Sequence, residues 1–370
     1  MRGNRILGII FSNLHEKLIS EITERRTMGA VPFGGRYRLI DFPLSNMVNS
    51  GINKVGVLTK SNYQSLTDHL GTGKAWDLSR QRNGLFILPP FMDPSDYANR
   101  VSTFRSIMPF LKNSSEEYVV ISDCDVICNI DYQKVFEKHL ENGADITLVY
   151  KRAPLPEKLH DPMVLSFDAR GKVTDVLVSP SISGTCSFYM NIMLIKRELL
   201  IDLVNKCVSK NTMNFKRDMI QGEYNSLNIY GYEFKGFAPI ITSPSEYFNA
   251  NMALMNSEVR EDLFRGDRPI YTKVRDDMPT KYGLESKVKN SLIGSGCTIE
   301  GEVENCVLFK GVHIGKGTKV SNCVIMQDTK IGQNSGLSYV IVDKDVTVRD
   351  EKTLAGQLSY PVYISKESVV

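Results

Sequence analysis

An aliphatic side chain that returns every six residues constrains a fold more tightly than any other feature of this chain. In SLIGSGCTIEGEVENCVLFKGVHIGKGTKVSNCVIMQDTKIGQNSGLSYVIVDKDVTV, residues 291–348, Ile293 and Ile299 are six apart, as are Leu308, Ile314 and Val320, then Ile325, Ile331 and Leu337, then Val342 and Val348. Ile-Gly pairs recur at 293–294, 314–315 and 331–332. One short strand and turn per step, each with one side chain directed inward, describes a parallel β-helix. A β-sandwich would show alternation with period two. Stacked coils bury a continuous aliphatic core, leave flat outer faces suited to oligomer contacts, and need a cap or a partner on the last coil.

The preceding residues follow another rule. A chain of 370 residues exceeds one ordinary core, so about two domains are expected. Arg5–Phe11, Lys54–Thr59, Tyr118–Ser122 and Ile146–Tyr150 read as strands, with helices at Ile40–Ser50 and Tyr132–Glu141. Buried strands alternating with helices predict a parallel-rich α/β sheet. Ligands of such sheets sit beyond the carboxyl ends of the strands, here Phe11 onward, Thr59 onward and Asp123–Asp125. SPSEYFNANMALMNSEV has the start signal and spacing of a helix packed on the sheet. The charged, proline-containing stretch from Val259 to about Pro279 reads as a linker or extended connector. The expected division is an α/β domain over 1–258, a connector over 259–284 and a β-helix over 285–370.

Charge and cysteine usage exclude several classes. Lys plus Arg number 45 against 42 Asp plus Glu, a formal charge of +3, which supports neither a nucleic-acid nor a membrane surface and leaves room only for a local anion site. The seven cysteines are odd in number and unclustered, and Cys124-x-x-x-Cys128 lacks partner ligands for zinc. Reduced thiols, with no secretory leader and no run of about 18 apolar residues, predict a cytoplasmic protein.

The block AVPFGGRYRLIDFPLSNMVNSGI at 30–52, with VGVLT at 55–59, GTGKAWDL at 71–78, the ANMALM segment and the hexapeptide C-terminus, resembles bacterial glucose-1-phosphate adenylyltransferase, also called ADP-glucose pyrophosphorylase. The likeness spans nearly the whole chain. It implies a Rossmann-like nucleotidyltransferase sheet followed by a left-handed β-helix, assembly as tetramers, and synthesis of ADP-glucose and pyrophosphate from ATP and glucose 1-phosphate for glycogen. Such chemistry needs glycines whose backbone N–H groups approach the triphosphate, fixed cationic side chains, and Mg2+ between carboxylates.

Position by position, the family's parts are missing. Its Gly-Gly-x-Gly-x-Arg loop falls on Asn13, Leu14, His15, Glu16, Lys17 and Leu18, within FSNLHEK, so every glycine and the arginine are replaced. The lysine of Ala-Lys-Pro-Ala-Val falls on Met28. SDCDV matches Ser-Gly-Asp-His, with the essential aspartate at Asp125, Cys124 in place of glycine, and Asp123 two residues earlier. The second metal aspartate counts to Ile240. Glu-Glu-Lys-Pro becomes Leu177-Val178-Ser179-Pro180, Ala-Ser-Met-Gly-Ile becomes Phe188-Tyr189-Met190-Asn191-Ile192, and Gly-Thr-Ala-x-Ala-x-x-Gln is degenerate around Asn99 to Ser106. Losing one electrostatic group of this kind commonly costs about 3 kcal/mol of transition-state stabilisation, and here three sides of one transition state are stripped.

The pattern is therefore most similar to the family's regulatory, GlgD-type subunit. That likeness implies a heterotetramer with a catalytic subunit, with ATP and Mg2+ used by the partner and no cofactor expected of this chain. Asp125 is the residual candidate for catalysis or metal binding; Lys17, Gly34 and Gly35 are weak candidates for nucleotide contact. Arg25, Arg26, Arg36 and Arg38 are candidates for a sugar-phosphate or nucleotide effector, against the blander reading of turn arginines and a solvated helix face. Trp76 is expected to pack at a domain or subunit boundary with Lys74 exposed, and Cys124 to be a buried thiol. His15 and His69 have no neighbours at metal spacing, and His313 lies within the repeat. The alternatives are an active nucleotidyltransferase remodelled around Lys17 and Asp125, and a homo-oligomeric protein sensing a sugar phosphate through Arg36 or Arg38. A hexapeptide acyltransferase lacks a histidine context beyond His313.

Overall fold

The computed structural model describes residues 5–80, 83–89, 99–156, 159, 161–182, 184–274 and 277–370. Its strands of the first part are β1 (Ile6–Phe11), β2 (Lys54–Leu58), β3 (Gly84–Leu88), β4 (Tyr118–Asp123), β5 (Ile146–Pro154), β6 (Met163–Phe167), β7 (Val173–Val178), β8 (Thr185–Lys196) and β9 (Ile229–Glu233). They form one nine-stranded sheet in the order β9-β5-β8-β4-β1-β2-β3, with the β6–β7 hairpin attached to β8. β4, β1, β2 and β3 run parallel, as the alternation of strands and helices requires. β8 is antiparallel to both of its neighbours, so the sheet is mixed.

β1 shows how the sheet is covered on both faces. Ile6 and Ile10 join the core that holds the Asp41–Asn49 helix, whereas Leu7, Ile9 and Phe11 join the core that holds the Arg100–Ser106 and Arg197–Ser209 helices. Alternate side chains of a strand point to opposite faces, and both are dry here. The two cores meet at the carboxyl ends of β1 and β4.

From Lys281 onward the chain winds into three parallel sheets of five short strands each. Ile299, Ile314, Ile331 and Val348 stack in one column; Val303, Val320, Leu337 and Leu354 in a second; Leu308, Ile325, Val342 and Ile364 in a third. These are the six-residue positions, now stacked turn on turn. Corners at Asn305, Asn322 and Asn334 take left-handed backbone, which asparagine tolerates better than most residues. The stretch expected as an extended connector is instead helical at its start, within Ser257–Leu263.

The coil is packed against the α/β part. Val307, Phe309, Val324, Met326 and Ile341 share one core with Met28, Phe33, Tyr247 and Phe248. Gly35 has φ +78°, and a Cβ there would touch the Leu308 carbonyl oxygen at 3.4 Å. The Gly34 N–H donates to Asn251 Oδ1 at 3.0 Å, and Tyr247 Oη to the Pro32 carbonyl at 2.6 Å. The AVPFGG and ANM segments thus lock together under the coil. That gives both a packing role independent of nucleotide.

Candidate functional site

The carboxyl ends of β1 and β4 deliver Ser12–Leu18 and Asp123–Asp125 to one place. With no glycine to curl it, the β1 loop closes as a 3-10 turn over Glu16–Ile19, Leu14 settles against the core, and Lys17 points to solvent. Burial pushes the Glu16 carboxyl up to about 7, partly offset by the Met28 backbone N–H and by Lys60. An acid thus faces the position where the family resemblance expects a lysine.

Asp123 and Asp125 are both buried, and their partners come from distant segments. Arg100 grips Asp123 through both oxygens, Nη1 to Oδ1 at 3.0 Å and Nη2 to Oδ2 at 2.6 Å. His15 Nε2 lies 2.8 Å from Asp123 Oδ2 and 3.5 Å from Asp125 Oδ2. Asn191 Nδ2 donates to Asp125 Oδ2 at 3.0 Å. Burial would raise the Asp123 carboxyl, yet Arg100 and His15 outweigh it and hold the group below the usual range. For Asp125 burial wins, only partly offset by His15, and the carboxyl is pushed up. Burial would lower the His15 imidazole, but Asp125 and Asp123 raise it.

The arginine is held from all sides. Asn99 caps the Arg100–Ser106 helix in a reciprocal box with Ser102, fixing where Arg100 starts. Its guanidinium sits 4.7 Å from the Phe11 ring centroid and 4.9 Å from that of Phe215. Such stacking favours a planar cation. On the other flank Ile240 bridges Val126, and the Ile241 N–H donates to the Asp125 carbonyl at 2.8 Å. The position counted as the second metal aspartate is therefore beside Asp125, filled by a buried isoleucine.

His15, Asp123 and Asp125 have ligand atoms within 4.8 Å of one another, a spacing compatible with a metal. The expectation that His15 has no such neighbours is corrected: β1 and β4 are adjacent in the sheet although 108 residues separate His15 from Asp123. The residues nevertheless fit a cation poorly. A carboxylate only accepts, so the 2.8 Å contact makes His15 Nε2 the donor and leaves it no lone pair. Both Asp123 oxygens face Arg100, and Asp125 Oδ1 is the one carboxylate oxygen of the pair with no partner among the described residues.

Comparison with known proteins agrees with this architecture. Residues 17–175 match the family described as nucleotidyl transferase, and 277–357 match the GlmU-like C-terminal hexapeptide. The glycogen biosynthesis protein GlgD of Bacillus subtilis (strain 168) is 38% identical over 323 residues, covering 86% of this chain and 84% of that protein. GlgD of Geobacillus stearothermophilus is 38% identical over 321 residues, 86% of this chain and 83% of its own length. A glucose-1-phosphate adenylyltransferase of Clostridium botulinum (strain Alaska E43 / Type E3) is 33% identical over 331 residues, 86% of this chain and 84% of its own length. The chain belongs to the glucose-1-phosphate adenylyltransferase family. Within it, the likeness is strongest to the GlgD type, and the coil is the left-handed β-helix of hexapeptide proteins.

Against that family background, the other candidates scatter. Asp125 is in the cluster, while Lys17 is exposed and Gly34 and Gly35 lie at the junction with the coil. Arg26 is not on a solvated face: its Nη2 lies 2.7 and 2.9 Å from the two Asp343 oxygens, in a buried pair joining the α/β part to the coil. Arg25 is exposed and pairs with Glu367 at 2.5 Å. Arg38 Nη1 donates to the Ser65 hydroxyl at 3.0 Å and, like Arg36, borders a cleft of about 670 Å³ at the junction. Arg260, Lys273, Lys310 and Lys344 line it too, alongside Asp68, Asp277 and Asp328, with Lys310 paired to Asp277 at 3.5 Å. His69 contacts Asp41 at 2.6 Å and meets the buried Trp76 edge-on, so the GTGKAWD segment packs inward. Burial, with Asp123 and Asp125 adding, holds the Cys124 thiol well above its ordinary range, as an inert buried thiol requires. Among the described residues all seven cysteines are free, and no helix is long and apolar enough to cross a membrane.

Sequence reasoning missed Arg100, Asp343 and Lys216. Lys216 Nζ donates to the Asp161 carbonyl at 2.5 Å; burial and Arg100 lower its pKa, against the pull of Asp161, Asp123 and Asp125. The only available signal for Arg100 was its place in the degenerate stretch at Asn99 to Ser106.

Proposed function

We propose that this chain is a noncatalytic regulatory subunit of a glucose-1-phosphate adenylyltransferase, acting in the cytoplasm in a heterotetramer with a catalytic chain. It raises the partner's ADP-glucose synthesis for glycogen through contacts of its coil and sheet surfaces. One observation carries the reading: the strand-end carboxylates, where the fold would place reaction chemistry, are bound by the chain's own Arg100, His15 and Asn191. The glycine-free loop and Ile240 support it from either side. Coupling of this kind needs two states of the partner that differ in subunit contacts.

ADP-glucose formation from ATP and glucose 1-phosphate tests it, with each chain pure and with the two co-purified. This chain alone forms none, and the pair exceeds the catalytic chain alone. Turnover by this chain alone that disappears in Asp125→Ala overturns the reading.

The basic cleft favours a second role, sensing of a sugar phosphate or nucleotide through Arg36 and Arg38. Calorimetry with a sugar bisphosphate on the pure chain, alongside light scattering for its assembly state, checks this. Binding that survives Arg36→Ala with Arg38→Ala eliminates it.

A further inference from the structure

The metal-fit mismatch at β4 has a specific cause. Resting on the noncatalytic reading, we propose that Arg100 is a built-in replacement for a divalent cation: its guanidinium neutralises Asp123 from within and closes the cluster to metal. Three observations meet in this. The contact is two-pronged, at 3.0 and 2.6 Å, so neither Asp123 oxygen is turned toward an open position. The guanidinium is clamped between Phe11 and Phe215 and fixed at its helix start by the Asn99–Ser102 box, so it is part of the packed core rather than a mobile surface arm. An arginine stays charged under all relevant conditions, whereas an ion must be bound from solution.

The chemistry of the surroundings points the same way. Mg2+ demands near-octahedral oxygen ligands, and Mn2+ is the usual probe for such oxygen sites. Here a cation would meet one unpartnered carboxylate oxygen, a histidine nitrogen already donating, and a fixed positive charge. Apolar Ile240 fills the flank where a second acid would be needed. Removing Arg100 changes that balance at once, because it takes away the fixed positive charge and frees Asp123 Oδ1 next to Asp125, leaving Oδ2 with His15 alone. The residue thus acts as a positioning and neutralising group, and it keeps the strand-end cluster of this chain closed to metal.

Mn2+ alone, titrated into the full-length chain and followed by electron paramagnetic resonance of free Mn2+, reads this without any turnover. The wild type shows no saturable site that depends on Asp125. Arg100→Ala gains one, at least about tenfold tighter than any residual binding, and Arg100→Ala with Asp125→Asn loses it again. Arg100→Lys, which keeps the charge, behaves as the wild type. Saturable Mn2+ binding by the wild type that Asp125→Asn removes overturns the proposal, and so does an Arg100→Ala chain that folds yet gains no site. Should Arg100→Ala fail to fold, the wild-type titration with and without Asp125→Asn still decides. ADP-glucose synthesis by the pure chain would defeat the noncatalytic reading alone, leaving the cation replacement to be judged by Mn2+.

Discussion

Among the described residues an arginine is buried on an aspartate twice, and the two pairs do different work. At the junction, Arg26 holds Asp343 across 317 residues of sequence, with the Tyr363 hydroxyl adding a 2.5 Å contact, and so fastens the α/β part to the coil. At the strand ends, Arg100 holds Asp123 over 23 residues and fastens nothing distant. The geometries differ as well: Arg26 reaches both Asp343 oxygens through Nη2, whereas Arg100 sets Nη1 and Nη2 each on its own oxygen of Asp123. What separates the pairs is the kind of partner the buried carboxylate keeps if its arginine is removed: Asp123 keeps the basic His15, Asp343 only the Tyr363 hydroxyl and the Lys344 N–H.

The comparison is sharpened first by breaking the junction. Arg26→Ala leaves Asp343 buried without its cation, a class of change that costs about 3–5 kcal/mol. Denaturation by urea should show a loss of that order, larger than for any other substitution considered. Replacing both partners by apolar residues, Arg26→Met with Asp343→Leu, should recover much of it, since the desolvation penalty of the remaining charge is gone. A loss under about 1 kcal/mol for Arg26→Ala would mean that the pair is incidental to the join.

Arg100→Ala should come next, at about 2–3 kcal/mol. His15 still donates to Asp123 in that variant, so the carboxylate keeps a basic partner, whereas Asp343 keeps only the Tyr363 hydroxyl and the Lys344 N–H as donors. The two regions then part company in the presence of Mn2+. Because a ligand that binds only the folded state stabilises it, Mn2+ should raise the melting temperature of Arg100→Ala and leave that of Arg26→Ala unmoved. Equal response of the two variants would erase the distinction.

The coil was legible because a six-residue period has few physical solutions, and the strands because buried runs of β-branched residues bounded by turns have few as well. The missing glycines at Asn13–Leu18 were legible too, since the absence of a residue needs no tertiary information. Arg100 was not: NRVSTFRS reads as an ordinary capped, solvated helix, and only the packing of that helix over β1 and β4 brings its first residue to Asp123. His15 escaped for the related reason that spacing along a chain shows only local ligand sets, whereas adjacent parallel strands gather ligands across it. Arg25 and Arg26 look identical in sequence, yet they lie in the turn after the Ser20–Thr23 helix, which sends the two side chains different ways. One therefore faces water and the other faces the coil.

Acidity offers a finer contrast between the regions. Glu16, near the strand ends, has its folded pKa raised from 4.5 to about 7 by burial. The folded state then binds more protons than the unfolded between those values, so its contribution is full below 4.5 and is lost as pH rises through about 7. Lys344, at the junction, has its pKa lowered from 10.5 to about 7 by burial, with Arg38 and Arg26 adding. There the folded state binds fewer protons between about 7 and 10.5, and stability increases as pH rises across that window. Each change across its window should amount to about 1 kcal/mol for these partly buried groups after solvent screening. Stability measured from pH 4 to 10 should flatten on its acid limb in Glu16→Gln and on its alkaline limb in Lys344→Met. Exchange of the two effects would assign the groups to the wrong regions.

The smallest expected effect belongs to the neighbour of the residue with the largest. Arg25 pairs with Glu367, a residue of the coil, just as Arg26 pairs with Asp343, so a reading based on contacts alone would credit both with joining the two parts. Exposure separates them: the side chains of Arg25 and Glu367 are 54% and 53% accessible, those of Arg26 and Asp343 only 4% and 1%. In water each partner of the outer pair is well solvated without the other, salt screens their attraction, and two long side chains lose freedom to meet. Arg25→Ala should leave the melting temperature within experimental scatter of the wild type, at low and at high salt alike. A salt-dependent loss on Arg25→Ala comparable to that of Arg26→Ala would show that the join is carried by charge at the surface, and that burial is not what gives the inner pair its weight.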